Sequence, residues 1–431
     1  MKNLIWFRND LRVADNPSLA NACKGDEVLA VYCFDPRQYA LGDFGFTKTA
    51  NYRAQFLIET VTELKSALKE LNITLLVHHE IPEVIIPQLI REHEIQTIFL
   101  QKEWTREETE VLSGVTANVP ALVKFEQHCA QFLFRPEDIP YNSIAEIPQV
   151  FTEFRKKCEK YAAIRVLEPV PKAMSKSNLL AKETEIPSLK TLGVADFTMD
   201  SRTAFPFKGG EQQALERIQH YFWDSKNLAY YKKTRNGLVG LDYSSKLSAW
   251  LANGSISPKT IYWEVKRFEK EEVKNQDTYW LIFELIWRDF FKYISLKHGN
   301  AIFHQGGILE KDYEWEYSQS KLNKWITGST PEPFVNANMK ELALTGWMSN
   351  RGRQNVASFW AKEWQQDWRY GAAYFESLLL DYDVHSNWGN WMYNSGVGND
   401  PRDRKFNIAR QAEMYDGQGK FQRLWLQESL F

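Results

Sequence analysis

Four short apolar runs, at residues 4–7, 28–34, 74–78 and 97–100, punctuate the start of this chain, each flanked by polar residues and each reading as a buried strand. Between them, residues 48–71 place Phe56, Val61, Leu64, Leu68 and Leu71 at helical spacing, and residues 83–93 form a second helical pattern. Strands alternating with helices predict a parallel, doubly wound α/β sheet, here within residues 1–135.

The pattern then changes twice. Residues 136–207 are punctuated by Pro136, Pro140, Pro148, Pro169, Pro171, Pro187 and Pro206, with Lys-rich and Ser-rich pieces and weak periodicity, which predicts a long connector. Beyond Gly209-Gly210 helical signals dominate, at residues 211–223, 246–251, 258–268, 279–298, 339–344 and 354–380, so residues 208–431 are expected to form an all-helical domain. Tryptophan follows the same division: only Trp6 and Trp104 precede residue 206, and 14 of the 16 follow it. Trp360, Trp364 and Trp368 recur every four residues, a stripe that ordinarily packs a core.

Several function classes are excluded. The first strand leads into Phe7-Arg8-Asn9-Asp10-Leu11-Arg12, without the glycines of a dinucleotide-binding turn, and no Walker loop, HExxH or GxSxG occurs. A formal net charge of -2 rules out binding a polyanion through bulk electrostatics, so any nucleic-acid contact must be local. The four cysteines form neither a CxxC pair nor a dense scaffold, which suits a reducing, cytoplasmic setting. The N-terminus lacks a long apolar core, and the most apolar later stretch, residues 279–287, is interrupted by Glu284, so neither a signal peptide nor a membrane span is expected.

Polar residues collect in a few places. Glu284 and Trp287 share a helix face, a carboxylate beside an aromatic plate; the ordinary explanation is a core tryptophan next to an acid paired with arginine. Asn350 and Arg353 lie three apart, and the segment 381–391 is dense in amides and carboxylates among aromatics, suiting a polar ring ligand as well as turns and caps. An Arg353 to Asp381 pair would sit under a heteroaromatic, with the Asn387 amide at a redox-active nitrogen. Ser244-Ser245-Lys246-Leu247-Ser248 offers hydroxyls, backbone N–H groups and a cation at a helix start, either as a pyrophosphate cradle or as a simple N-cap.

Taken in order, Tyr231-Lys232-Lys233-Thr234-Arg235-Asn236-Gly237, Asp242-Tyr243-Ser244-Ser245-Lys246, Glu284-Leu285-Ile286-Trp287-Arg288-Asp289, Thr345 through Gln354, and Asn387-Trp388-Gly389-Asn390-Trp391 with Gly396 through Arg402 resemble the photolyase/cryptochrome family in its cryptochrome DASH wording. The opening Trp6 to Arg12 with Asp15-Asn16-Pro17 is similar too, and the likeness covers nearly the whole chain. It is loosest over the connector at 136–207.

That resemblance implies an N-terminal antenna domain and a helical domain holding FAD. It assigns Tyr231, Ser244, Ser245, Lys246, Leu247 and Ser248 to the diphosphate and ribityl part, and Glu284, Arg288, Asn350, Arg353, Asp381, Asp383 and Asn387 to the rest of the flavin site. Glu284, Trp287 and Asn350 become catalytic, with Trp287, Gln354, Tyr393 and Arg351 around a cyclobutane pyrimidine dimer. Trp391, Trp368 and Trp315 match the family's electron-transfer chain. A 5,10-methenyltetrahydrofolate antenna is implied near Glu103 and Glu107. Phosphate contacts would come from Lys208, Lys233, Arg235, Arg351, Arg402, Arg404 and Lys405.

The implied activity is blue-light repair of pyrimidine dimers, preferentially in single-stranded or looped DNA, by a monomeric lyase. The alternatives are a blue-light photoreceptor that signals through a protein partner, and a flavoprotein with vestigial DNA binding. Repair is favoured because the chain ends at Phe431, about 40 residues beyond the segment at 387–391, leaving little room for a signalling tail.

Overall fold

The computed structural model describes residues 1–427. Five parallel strands, β1 (Lys2–Trp6), β2 (Glu27–Cys33), β3 (Thr74–His78), β4 (Thr97–Gln101) and β5 (Lys124–His128), form one sheet in the order β3-β2-β1-β4-β5. The register aligns Leu4 of β1 with Leu29 of β2 and Ile98 of β4. Side chains alternate between two apolar layers. Ile5, Val28, Ala30 and Leu75 face the helices Pro17–Ala22 and Asn51–Glu70, whereas Leu4, Trp6, Leu29 and Ile98 face Pro82–His93 and Arg106–Ala117. Strands buried on both faces read as continuous apolar runs, which is why four of them were visible in the sequence. The fifth, Lys-Phe-Glu-Gln-His, is an edge strand with half-solvated side chains and carries no such run.

The second half is a helical domain around Gln276–His298, which starts at a capping box between Asn275 and Thr278. Its inner face buries Leu281, Ile282, Leu285, Ile286 and Phe290, and the helix Val384–Ser395 packs across it. The single helix expected over 354–380 is two. Asn350–Ser358 runs into a π-helical turn at Phe359–Glu363, Gln365 adopts a left-handed backbone (φ 55°), and a new helix, Trp368–Leu378, starts where Asp367 caps the N–H of Arg369. The break re-aims the tryptophans: Trp360 and Trp368 are fully buried, Trp364 only partly.

Residues 136–207 contain one α-helix, Phe151–Tyr161, whose Phe151, Phe154 and Cys158 enter the core of the helical half. Further along, Leu192 joins the sheet's apolar layer, so the segment packs on both halves. Asp289 accepts backbone N–H bonds from Leu133 (3.0 Å) and Phe134 (2.8 Å), tying the end of the α/β half to the long helix. Where the halves meet, Lys259 and Asp15 form a 2.7 Å ion pair with both side chains 2% exposed or less. Beside it Gly254 (φ 73°) lies so close to Asn9 that a Cβ would fall 2.0 Å from the Asn9 carbonyl oxygen. All four cysteines are free, and no helix among the described residues is long and apolar enough to cross a membrane.

Candidate functional site

Three helix termini converge on one cavity of about 490 Å³, lined by Asn350, Arg353, Gln354, Asp381, Asp383, Asn387 and Trp391 among others. Ser349 caps Asn350–Ser358 by accepting from the Gly352 N–H (3.0 Å), and Asp383 caps Val384–Ser395 by accepting from Ser386 (2.8 Å). These caps fix where Asn350 and Asn387 emerge. Arg353 Nη2 donates to both Asp381 oxygens, at 2.9 and 3.0 Å, making the pair expected from the sequence. Asn387 Nδ2 donates to the Ala372 carbonyl at 3.0 Å, which sets the orientation of its amide.

Asp383 pairs with Lys292 at 2.9 Å, both side chains being buried. Burial pushes the Asp383 carboxyl up, but the charges of Lys292 and Arg288 oppose it, and the group is held well below the usual carboxylate range. Burial and the Lys292 charge push His385 well below its ordinary value, so it stays neutral and shares a 2.7 Å hydrogen bond with the Ser295 hydroxyl.

Tyr231 and residues 244–248 form a second group, outside the lining of this cavity. Arg217 donates to the carbonyls of Ser244 (3.0 Å) and Ser245 (2.9 Å), gathering the segment. Leu247 is buried at the start of the short helix Ser248–Ala252, and Tyr231 is buried nearby in the same core. Lys246 sits in a left-handed backbone (φ 63°), with its ammonium buried against the Tyr243 and Trp347 rings and without a hydrogen-bond acceptor among the described residues. Burial drives its pKa well below the ordinary lysine value. Trp347 joins the two groups, donating to the Tyr243 hydroxyl (3.0 Å) while the Arg353 guanidinium lies over its ring. The cavity with its Arg353–Asp381 pair, and the buried Lys246 amine without an acceptor, joined to Arg353 through the Trp347 ring, fit the ring and the diphosphate of FAD.

On the outer side, Glu284 pairs with Arg235 at 2.8 Å, the arginine partner that a carboxylate in an apolar run requires. Burial pushes the Glu284 carboxyl above its ordinary value although the Arg235 charge opposes it. Trp287 stands against Tyr393 with ring centres 5.9 Å apart at 89°, and stacks on Phe151 at 3.6 Å. Arg351 donates to the Gln354 side-chain oxygen (2.8 Å) and to Asn236 (3.3 Å). Gln354 and Asn350 line the cavity, so Arg351 ties its rim to the segment that carries Arg235. Of the seven expected phosphate contacts, Arg235, Arg404 and Lys405 hold acidic partners, Glu284, Asp400 and Glu363. Lys208, Lys233, Arg351 and Arg402 form no ion pair among the described residues.

The three tryptophans assigned to electron transfer run from core to surface: Trp391 and Trp368 are buried and Trp315 is partly exposed. The ring neighbours of all three are other residues, and among the described residues no two of the three rings pair with each other. Trp391 meets Trp325 at 6.1 Å and Phe375 at 5.1 Å, Trp368 meets Trp388 at 5.6 Å, and Trp315 meets Tyr313 at 5.4 Å.

Arg288 is not in the cavity with Asn350 and Arg353. It donates to the carbonyls of Gln131 (2.5 Å) and Leu251 (3.0 Å) and lines a larger cleft, about 1380 Å³, between the two halves of the molecule. Being next to a motif residue in sequence does not set which way a helical side chain points. Glu103 and Glu107 line this cleft, with Arg8, Gln101, Gln131, Lys292, Tyr382 and Asp383, none of which the sequence singled out for it. Glu103 accepts from Gln101 (2.8 Å), whereas Glu107 is paired with Lys48. Tyr382 and Asp383 line both cavities, so segment 382–383 is their common wall.

Glu108, also in the cleft, has its pKa pushed up to about 7 by burial and by the Glu103 charge. A carboxyl raised in the folded state contributes stability at low pH that is lost as pH climbs from its unfolded value, about 4.3, through about 7. Urea midpoints followed from pH 5 to 8 are expected to show Glu108→Gln removing a decline of up to about 1.4 kcal/mol per pH unit. Parallel curves for the variant and the wild type would place Glu108 in water.

Comparison with known proteins agrees with this architecture. Residues 3–175 match the DNA photolyase family model, and residues 280–429 match the FAD binding domain of DNA photolyase. The chain is 47% identical to cryptochrome DASH of Synechocystis sp. over 99% of its own length and 87% of that protein, and 45% identical to cryptochrome DASH of Xenopus laevis over 98% and 82%. The crystal structure of a Synechocystis sp. cryptochrome superposes with a TM-score of 0.95 at 46% identity, covering 99% of this chain and 89% of that one. A class III photolyase from Agrobacterium tumefaciens, 24% identical, shares the fold (TM-score 0.82) over 99% of this chain and 86% of that one. A parallel α/β half, a helical half with an FAD-binding domain and full-length likeness at this identity make the chain a photolyase-like blue-light flavoprotein that belongs to the photolyase/cryptochrome family, in its cryptochrome DASH branch.

Proposed function

We propose that the protein is a photolyase-type lyase that splits cyclobutane pyrimidine dimers in single-stranded or looped DNA under blue light. The observation that carries this reading is a chain of contacts between wall and cavity. Gln354 lines the candidate flavin cavity and accepts from Arg351, which also donates to Asn236, the sequence neighbour of the Arg235 that pairs with Glu284, so a dimer held by Glu284, Trp287 and Tyr393 would lie near the flavin. FAD, when bound, supplies the light-absorbing electron donor.

The chain's own residues bind and orient. Arg353, Asp381 and Asn387 would hold the ring, and Lys246, whose buried amine has no acceptor among the described residues, would take a proton against the phosphate charge. Trp287 and Tyr393 give the dimer an apolar corner that excludes water. Glu284, paired with Arg235 and with burial raising its carboxyl, would stabilise negative charge on the substrate by a hydrogen bond to a dimer carbonyl once it carries a proton. Reaching a dimer in a duplex costs a few kcal/mol of unstacking, which a single strand avoids.

We further assign the interdomain cleft to a 5,10-methenyltetrahydrofolate antenna, for which Glu103, oriented by Gln101, would accept N–H groups, with Glu107 also in the lining.

The decisive assay illuminates the reduced protein with blue light and follows loss of thymine dimers in single-stranded and duplex oligonucleotides. Loss on single strands first supports the reading; no loss on either substrate overturns it in favour of a photoreceptor. Glu284→Ala is expected to keep its flavin and repair at least about tenfold more slowly, the effect of losing one charge-stabilising donor. Trp391→Phe is expected to retain flavin and slow its photoreduction by an added reductant, measured by visible absorbance; an unchanged rate would remove Trp391 from the path.

A further inference from the structure

The helix Gln276–His298 carries its dimer wall at Glu284 and Trp287, and one turn earlier on the same face it presents Trp280. Trp280 is half-buried, with its ring stacked on Phe283 at 4.5 Å and 26°. Phe283 in turn meets Phe151 at 5.2 Å, and Phe151 stacks on Trp287. Aromatic side chains therefore run without interruption from the dimer corner toward the start of the helix. The Lys232 ammonium rests 4.3 Å from the centre of the Trp280 ring, a place that a stacking base would take over. Lys232 and its neighbour Lys233 are exposed and form no ion pair among the described residues. Tyr230, 56% exposed, lies beside them, with the Lys233 ammonium 5.8 Å from its ring. This segment is held to the helix, since Asn275 donates to the Ala229 carbonyl (3.0 Å) and the Lys233 N–H donates to Asp277 (3.2 Å).

We propose that Trp280 is a stacking platform for the base of the nucleotide adjoining the dimer, with Lys232 and Lys233 holding the phosphates of that flank. The proposal rests on the dimer reading above and extends it to the strand outside the dimer. The chemistry is that of single-strand binding, in which an aromatic face takes any base and nearby ammonium groups follow the backbone. On a protein with a net charge of -2, such contacts must come from a local pair of unneutralised lysines. A base inside a duplex already stacks on two neighbours and cannot give a face to Trp280 without unpairing, so the platform selects for single strands.

The test measures binding of the flavin-loaded protein, in the dark, to three probes: a thymine-dimer dinucleotide, a single-stranded octathymidylate with a central dimer, and the undamaged octathymidylate. The wild type is expected to bind the damaged octamer more tightly than the dinucleotide. Trp280→Ala is expected to weaken both octamers about tenfold, with dinucleotide affinity within twofold of wild type and flavin content intact. Trp280→Phe, which keeps an aromatic face, recovers most of the loss. Lys232→Ala is expected to lower the salt dependence of octamer binding by about one ion. Octamer affinity unchanged in Trp280→Ala overturns the proposal, and so does equal weakening of dinucleotide and octamers, which would make Trp280 a support of the dimer wall. Failure of the underlying reading looks different: the wild type would then bind damaged and undamaged octamers alike, while the Trp280→Ala loss on both still reports the platform.

Discussion

Lys259→Met is expected to destabilise the protein by about 3–5 kcal/mol, because it leaves the Asp15 carboxylate buried at the junction of the two halves without its counter-charge. Asp15 would keep the backbone N–H of Glu168 at 2.9 Å, one hydrogen bond in place of an ammonium. The loss should appear as a lower urea midpoint with little change in slope. Lys259→Met combined with Asp15→Asn should regain most of it, since the harm lies in the stranded charge and an uncharged amide also tolerates the positive φ of 51° at that position. A loss under about 1 kcal/mol would mean that water reaches this pair as it reaches surface ion pairs.

Arg353→Met is expected to yield a folded protein that purifies largely without flavin. Two charge-assisted hydrogen bonds to Asp381 disappear, and with them the planar floor under the proposed ring site. Losing such a contact costs about 1.5–3 kcal/mol, roughly ten- to a hundredfold in FAD affinity. Arg353→Lys keeps the charge and loses the fork, so its affinity should fall between the two. Visible absorbance per chain measures the outcome, and full flavin occupancy in Arg353→Met would remove this cavity from the flavin site.

What the sequence disclosed follows from which physical signals survive in one dimension. β1 to β4 are buried on both faces, so apolar runs mark them, whereas β5 at the polar edge has none. The helical signal over 354–380 persisted across a break, because periodicity does not register a π turn or a residue such as Gln365 in the left-handed region. Phe151, Phe154 and Cys158 did carry helical spacing inside the connector, but lysines and prolines around them hid it. The candidate flavin cavity was legible because most of its residues fall in two short segments, 350–354 and 381–391. The interdomain cleft was not. Its lining comes from segments scattered between Trp6 and His385, and only folding brings Arg8, Gln101, Gln131 and Arg288 together. Its two glutamates were found through family likeness alone.

Tyr382 and Asp383 serve as a party wall between two chambers. Change there cannot be private to either side: a bulkier residue at 382 crowds both rooms at once, and altered charge at 383 is felt through both faces. Drift in this stretch is thus subject to two vetoes, and the chambers are bound to evolve as a pair, each inheriting the accommodations made for the other.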